Sequence, residues 1–281
     1  MQFGKIQTLT VDRITDAGYF LVDDEGDDVL LPYSLAADQL DRSLEVDVFV
    51  YTDSKSRPIA TMHLPFAEAD SFAVVEVVSV NPVGAFVSIG IAKEVLLPYK
   101  EQSRDVKAGD RIVVYIYIDD MTNRLVSTMY VERYLADVSE EHQPFEEEEA
   151  VDIIIYRKSN LGWNAIILPE YKGLLYENEV FEPLSIGDRK TAYIKKVRED
   201  YNIDLSLRRS GYIHTNKTAD QIIAALQSNN GYLPLHDKSD PALIYDKLQM
   251  SKKAFKKAVG LLYKDRLITL EDDGIRLRLN Q

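Results

Sequence analysis

Along most of the chain the apolar residues fall in short β-branched and aromatic runs separated by glycine, proline and aspartate, a pattern that predicts strands and turns. The clearest set is Val74 to Val80, Ala85 to Ile89, Val95 to Leu97, Ile112 to Ile118 and Leu125 to Thr128. A similar set precedes it: Gly18 to Val22, Val29 to Tyr33, Val46 to Tyr51 and Ile59 to Met62. Gly18 and Gly84, Pro32 and Pro98, and Val46 and Ile112 are each 66 residues apart, and Thr61 and Thr128 are 67 apart. Four landmarks in register mark a repeat. A third copy follows at a spacing of 78, from Gly84 to Gly162 and from Gly109-Asp110 to Gly187-Asp188. The extra length is mostly the acidic stretch Glu140 to Glu149, low in apolar residues and read as a linker.

Five short strands per repeat bury a core only by curling into a closed or nearly closed barrel, and the five-stranded solution is the OB-fold. The glycine before the second strand permits its tight entry. From Thr218 the periodicity turns helical. Ile222, Ile223, Ala225 and Leu226 mark one helix, and Asp240-Pro241 opens a second through Ile244 and Leu248. Ser251 caps a third whose buried stripe is Phe255, Ala258, Val259 and Leu262. Leu267 to Leu279 then reads as a hairpin around an Asp-Gly turn. Three helices and a hairpin in that order predict a winged helix. The fold is therefore expected to be mostly β with a C-terminal α+β part. Its expected domains are barrels over 1–64, 65–139 and 150–211, a linker over 140–149 and a winged helix over 212–281.

Charge changes the picture of where a polyanion could bind. The net charge of −13 argues against nucleic acid until it is divided along the chain. Lysine plus arginine against aspartate plus glutamate stands at 5 to 12, 7 to 11, 0 to 6, 10 to 9 and 11 to 8 over those five segments, giving −7, −4, −6, +1 and +3. The C-terminal half is the plausible half. With no cysteine, thiolate zinc sites and cysteine nucleophiles are excluded. No apolar run reaches membrane-span length and Met1 to Lys5 carry no signal pattern, so the chain is expected to be cytoplasmic, with no membrane partner.

The third copy carries Gly173-Leu174-Leu175-Tyr176, Gly187-Asp188, Val197-Arg198-Glu199-Asp200 and Ile203-Asp204-Leu205-Ser206-Leu207-Arg208. It resembles the S-one-type module, the RNA-binding OB domain named after a ribosomal protein. The first two copies are more degenerate, with Pro32 and Pro98 where that family often has histidine, and without the Ser-x-Arg ending. Three such modules before a winged helix make the chain similar, end to end, to the bacterial conserved virulence factor B family. That resemblance implies a cytoplasmic RNA-binding protein altering expression of other genes through transcript stability or translation.

Single-stranded RNA is held by rings that stack on bases and cations that follow phosphates. In the third module this nominates Trp163 and Tyr176 for stacking, with Arg157, Lys158, Lys195, Lys196 and Arg208 along the backbone path. Trp163 has the alternative of an ordinary core tryptophan. Phe20 and Phe86 are taken as the matching aromatics of modules one and two and are secondary candidates, with packing as their alternative. In the third helix Lys252, Lys253, Lys256 and Lys257 lie on the solvent side, where helix-turn-helix proteins place their recognition surface. The acidic wing tip Glu271-Asp272-Asp273 makes duplex DNA the less favoured partner. A DNA-binding or protein-bridging adaptor acting through the winged helix remains the alternative function. An enzyme is not expected: His63, His142, His214 and His236 sit in no metal-binding or catalytic spacing, and no phosphate loop or nucleophile elbow occurs. Asp23, Asp24, Asp27 and Asp28 read as an acidic hairpin turn, not a calcium loop. No cofactor or metal is expected.

Overall fold

The computed structural model describes residues 1–139, 144–208, 217–264 and 267–278, without the side chain of Lys217. His142, His214, Leu279 and positions 140–143 of the acidic stretch lie outside the described residues. Two compact units result, Met1–Leu207 and Arg208–Gln281.

The first unit contains three closed five-stranded barrels. Barrel one is β1 (Ile6–Thr15), β2 (Gly18–Val22), β3 (Asp28–Pro32), β4 (Glu45–Thr52) and β5 (Pro58–Thr61). Barrel two is β6 (Ser71–Asn81), β7 (Gly84–Ser88), β8 (Val95–Pro98), β9 (Arg111–Asp119) and β10 (Arg124–Thr128). Barrel three is β11 (Ala150–Lys158), β12 (Gly162–Ile167), β13 (Tyr171–Tyr176), β14 (Arg189–Val197) and β15 (Ile203–Ser206). In each, the first strand pairs with the second and fourth, and the fifth strand joins the third to the fourth. These are the barrels expected from the repeat.

Closure depends on a bulge in the first strand of every barrel, which breaks the register between Val11 and Arg13, Val77 and Ser79, and Ile155 and Arg157. The extra residues are Asp12, Val78 and Tyr156, spaced by the same 66 and 78 residues as the glycines. A bulge bends and twists its strand, so that one long strand can pair with a different neighbour at each end. The glycine opening each second strand is required by close approach. A Cβ at Gly18, Gly84 or Gly162 would stand 2.2, 2.4 or 2.1 Å from the carbonyl oxygen of Leu31, Leu97 or Leu175.

Many strand residues that point out of their own barrel are also buried. On β4, Val46, Val48 and Val50 fill barrel one, while Phe49 and Tyr51 turn the other way into the core of barrel two. On β11 and β12, Ile154 and Ile166 leave barrel three and pack with Phe72, Val113 and Val131 of barrel two. The Tyr115 and Tyr134 rings stack at 3.9 Å at the same seam. The three barrels are thus joined by two apolar seams.

The second unit has α1 (Lys217–Ser228), α2 (Pro241–Leu248) and α3 (Lys252–Lys264) over a three-stranded sheet of β16 (Tyr232–Leu233), β18 (Ile275–Leu277) and β17 (Ile268–Leu270), in that order. Asp240 caps α2 by accepting the Ala242 amide at 2.8 Å, and the Ser251 hydroxyl accepts the Ala254 amide at 3.2 Å at the start of α3. Phe255, Ala258, Val259 and Leu262 are buried, as their spacing predicts. The third strand, β16, is an addition to the predicted hairpin; two residues are too few to show a period.

Ile154 is fully buried although it points away from its own core. Ile154→Ala is therefore expected to lower stability by about 2–5 kcal/mol, as a core truncation does. Ser103→Ala, on the surface, should cost no more than about 0.5 kcal/mol. Urea denaturation of both variants checks this, and a loss below about 1 kcal/mol for Ile154→Ala would mean that the seam is not a packed core.

Candidate nucleic-acid interface

Barrels of this strand order present ligands with the outer face of strands two and three. In barrel three that face belongs to β12 and β13. Alternation turns Trp163, Ala165 and Ile167 of β12 toward the core and leaves Asn164 and Ile166 outside. Ile166 is covered by the seam, so Asn164, though buried, is the outward residue of the strand that borders a cavity. Beside it, Lys172, Leu174, Arg198, Asn202 and Asp204 line a cavity of about 220 Å³, with Tyr176 at the margin.

Polar groups converge here. The Tyr176 hydroxyl donates to Asp204 Oδ1 at 3.2 Å and accepts from Arg198 Nη1 at 3.3 Å. Arg198 also grips Asp200, with Nε donating to Oδ1 at 3.0 Å. That pair raises the guanidinium above its ordinary pKa and holds the Asp200 carboxyl well below the usual carboxylate range. Both stay charged throughout the neutral range. Asn164 is only 6% exposed, and its Nδ2 is the one buried side-chain nitrogen or oxygen, among the described residues, with no hydrogen-bond partner. A buried donor left unpaired costs about 1–3 kcal/mol, a cost that a ligand acceptor in the cavity would remove.

The sequence-nominated residues are not all brought together here. Tyr176 is at the cavity, and exposed Lys196 stands opposite Asp204 in the β14–β15 pairing, with no carboxylate within 4.0 Å among the described residues. Arg157 stands opposite Asn164 but is 3.0 Å from Glu132, which also lies 3.5 Å from Lys172. Burial opposes the charge on Glu132, yet the Tyr156 hydroxyl and the two cations outweigh it and hold its carboxyl below the ordinary value. Lys195 points to Glu179 at 2.5 Å. Trp163 is half-buried against the barrel core with the Lys158 ammonium 4.8 Å from its ring centre, and Lys158 is paired with Glu177 at 3.1 Å. Trp163 thus sits on the inner side of β12, not on the face that carries Tyr176.

Phe20 and Phe86 do not match Trp163. Gly18, Gly84 and Gly162 pair with Pro32, Pro98 and Tyr176, so Trp163 is level with Tyr19 and Ala85, and both phenylalanines are level with Asn164. The phenylalanines lie on the outer face, one residue further on than the sequence alignment placed them. Phe20 is covered by the Arg13 guanidinium at 4.0 Å, itself held by Asp12 and Asp28.

In the second unit Arg208 lies 3.3 Å from Asp220. Lys252 donates to the Ser239 carbonyl at 2.8 Å, and Lys256 lies 3.9 Å from Asp237. Lys253 and Lys257 are exposed on α3, with no carboxylate within 4.0 Å among the described residues. Lys264, seven residues beyond Lys257, is exposed on the same helix and was not among the predicted contacts. Arg198, Asn202 and Asn164 were also missed. The signal that could have found Asn164 was the glycine register: two residues after each of the three glycines comes the outward position of the second strand. The acidic turn holds Asp23, Glu25 and Asp27 close together. Asp23 accepts the Glu25 and Asp27 amides and pairs with the Met1 amine at 2.6 Å, so it closes the hairpin turn that its sequence predicts.

Comparison with known proteins adds to this geometry. A family described as the CvfB-like winged helix domain matches residues 220–277, and the S1 domain family matches residues 3–63 and 72–130, within barrels one and two. Barrel three has the same strand order as these two. Both domain types point to a nucleic-acid partner. Protein YitL of Bacillus subtilis, itself uncharacterised, is 31% identical over 97% of this chain and 92% of its own length. Conserved virulence factor B of Staphylococcus epidermidis is 28% identical over 98% of this chain and 94% of its own. A crystal structure from Streptococcus pneumoniae, of a multidomain protein with nucleic acid binding domains, is 24% identical with a TM-score of 0.45, over 98% of each chain. Three barrels of one strand order, two of them matched by the S1 family, followed by this kind of winged helix and matched over nearly the whole chain by YitL and by conserved virulence factor B, place the chain in the conserved virulence factor B family.

Proposed function

We propose that this protein binds single-stranded RNA without catalysing a reaction on it, through the outer face of barrel three and the lysine face of α3, and so acts on transcripts after their synthesis. One observation supports this most: the unpaired Asn164 amide in a cavity lined by Arg198 and Asp204, both of which are hydrogen-bonded to the adjoining Tyr176 hydroxyl. A base edge supplies the acceptor that Asn164 lacks, and the adjoining ring supplies a stacking surface. Duplexes keep their Watson–Crick edges paired and their bases stacked, so a site that takes a splayed base against a ring selects single strands. Lys196 on the barrel, and Lys253 and Lys257 on α3, are the cations left to phosphates, because Arg157, Lys158 and Lys195 of barrel three, Arg208 and Lys256 are held by the protein's own carboxylates and Lys252 of α3 by a carbonyl.

Filter binding of the full chain to single-stranded RNA and to duplex DNA, across a salt series, tests the reading. RNA should bind more tightly, and tighter duplex binding or none to either would overturn the proposal. Tyr176→Ala should weaken RNA binding by about 5- to 150-fold, the equivalent of one stacked base. Lys196→Glu should lower affinity and flatten the salt dependence by about 0.7 of a log unit per log unit of salt, whereas Arg13→Glu, at the carboxylate-held cap of barrel one, should do neither. Asn164→Leu separates binding from folding. It removes an unpaired donor, so stability measured by urea denaturation should remain within about 1 kcal/mol of the parent or rise, while RNA affinity falls.

A further inference from the structure

Among the described glycines of the second unit, two have a reason inside the fold. Gly231 adopts a φ of +80°, and a Cβ at Gly274 would stand 2.3 Å from the Leu233 carbonyl oxygen. Gly260 has neither reason. It lies inside α3 at an exposed position with no left-handed φ, and a Cβ built on it would meet no atom within 4 Å. A glycine inside a helix weakens it relative to alanine, so the fold alone favours a larger residue there. What a bare helix backbone offers is close approach, and among the described residues no atom makes use of it.

The residues that surround Gly260 on the helix surface, three and four positions away on either side, are Lys256, Lys257, Tyr263 and Lys264. All four are exposed, Tyr263 by 55%. Lys253, one turn before Lys257, continues the same face. Of these lysines only Lys256 has a carboxylate within 4.0 Å among the described residues, Asp237 at 3.9 Å. Lys253, Lys257 and Lys264 thus run unopposed from the first turn of α3 to its last, about 16 Å at the rise of a helix. A recognition helix that enters a duplex groove reads it with its N-terminal residues. Here the cations lie lengthwise, and the wing turn Glu271-Asp272-Asp273 is acidic, with Arg276 held by Glu271 at 2.6 Å. That charge repels the second strand of a duplex. A protein partner would seat an apolar core in its interface, and the circle of residues around Gly260 contains no apolar aliphatic residue.

We propose, resting on the reading of α3 as an RNA-binding face, that Gly260 is a notch for one step of a single RNA strand. The sugar–phosphate backbone lies against the helix backbone at Gly260, one base stacks on the Tyr263 ring, and the flanking phosphates meet Lys257 and Lys264. With no Cβ in the way, the phosphates come closer to both ammonium groups and shed the water between them, which strengthens the attraction. Any side chain at position 260 would hold the strand off the helix. Barrel three takes no part in this step, so the notch can fail while the barrel face stands.

Fluorescence anisotropy of a labelled single-stranded RNA with the full chain, alongside thermal unfolding of each variant, tests the notch. Gly260→Ala should raise the melting temperature, because alanine is the better helix former, and yet weaken RNA binding several-fold. Gly260→Leu should fill the notch and weaken binding by about 5- to 150-fold, as an overpacked contact does, with no loss of melting temperature. Tyr263→Ala should weaken binding by about 5- to 150-fold as well, and should make no difference to an abasic strand of equal length. Lys257→Ala together with Lys264→Ala should flatten the salt dependence by about 1.4 of a log unit per log unit of salt, about 0.7 for each cation. Affinity unchanged in Gly260→Leu or in Tyr263→Ala, while Tyr176→Ala still weakens it, would overturn the notch alone. No RNA binding by the parent chain would overturn the barrel-three reading with it. A polyglutamate peptide that displaces the RNA at equal concentration of charge would also overturn the proposal, by identifying an acidic protein as the partner of this face.

Discussion

A strand has two faces, and a barrel buries only one of them. What this protein does with the other face determines the rest of its structure. β4 sends Phe49 and Tyr51 out of barrel one, and β11 and β12 send Ile154 and Ile166 out of barrel three; each pair is buried by barrel two. Such residues make their strands apolar on both sides, so a barrel alone would expose a hydrophobic patch that a soluble surface rarely carries. The seams pack three small barrels into one compact unit. They also decide which outer faces stay open. Barrel three spends Ile154 and Ile166 on its seam and leaves Asn164, Leu174 and Tyr176 on the part of its outer face outside the seam. Barrel two spends Phe72 and Val113 on one side and lends Phe86 and Leu96 to a cavity completed by barrel one.

The same strand position therefore has three chemistries. Level with the opening glycine of the second strand stand Pro32, Pro98 and Tyr176; two residues after that glycine stand Phe20, Phe86 and Asn164. A proline has no backbone donor and a fixed φ, so it ends the third strand without offering a side-chain polar contact. In barrels one and two the following tyrosine fastens the barrel instead, the Tyr33 and Tyr99 hydroxyls donating to the Thr15 and Asn81 carbonyls at 2.7 and 2.9 Å. In barrel three the tyrosine itself occupies the proline position and faces Asp204 and Arg198. Degeneracy in the first two modules is a change of use at a fixed geometric point.

The fold could be read from the sequence because its determinants are local. Glycine spacing, strand runs and helix caps such as Asp240 and Ser251 act through nearest neighbours, and they predicted three barrels and a winged helix. The bulges at Asp12, Val78 and Tyr156 have no residue signature, though they repeat with the glycines. The site was less legible, because it turns on which face each residue takes. Trp163 and Asn164 are adjacent, and the first points inward while the second points to the cavity. An alignment that matched aromatic to aromatic slipped by one residue, and in a strand such a slip exchanges core for surface. Neither seam was foreseen: Phe49 and Ile154 read as ordinary members of apolar runs.

Charge counted by segment was a correct guide to composition and a coarse one to binding. The third barrel is close to neutral, but most of its cations are occupied, Arg157 by Glu132, Lys158 by Glu177, Lys195 by Glu179 and Arg198 by Asp200. Exposed pairs of this kind contribute little to stability, about 0–1 kcal/mol each. Their effect on a polyanion is larger, because a phosphate must displace a carboxylate that is already in place. A cation without such a competitor, like Lys196, Lys253 or Lys257, is available to a phosphate at no such cost, and so is exposed Lys100 in a half of the chain that is strongly acidic as a whole. What a polyanion meets is the distribution of unpaired cations, and in this protein that distribution runs across the boundary that net charge alone would draw.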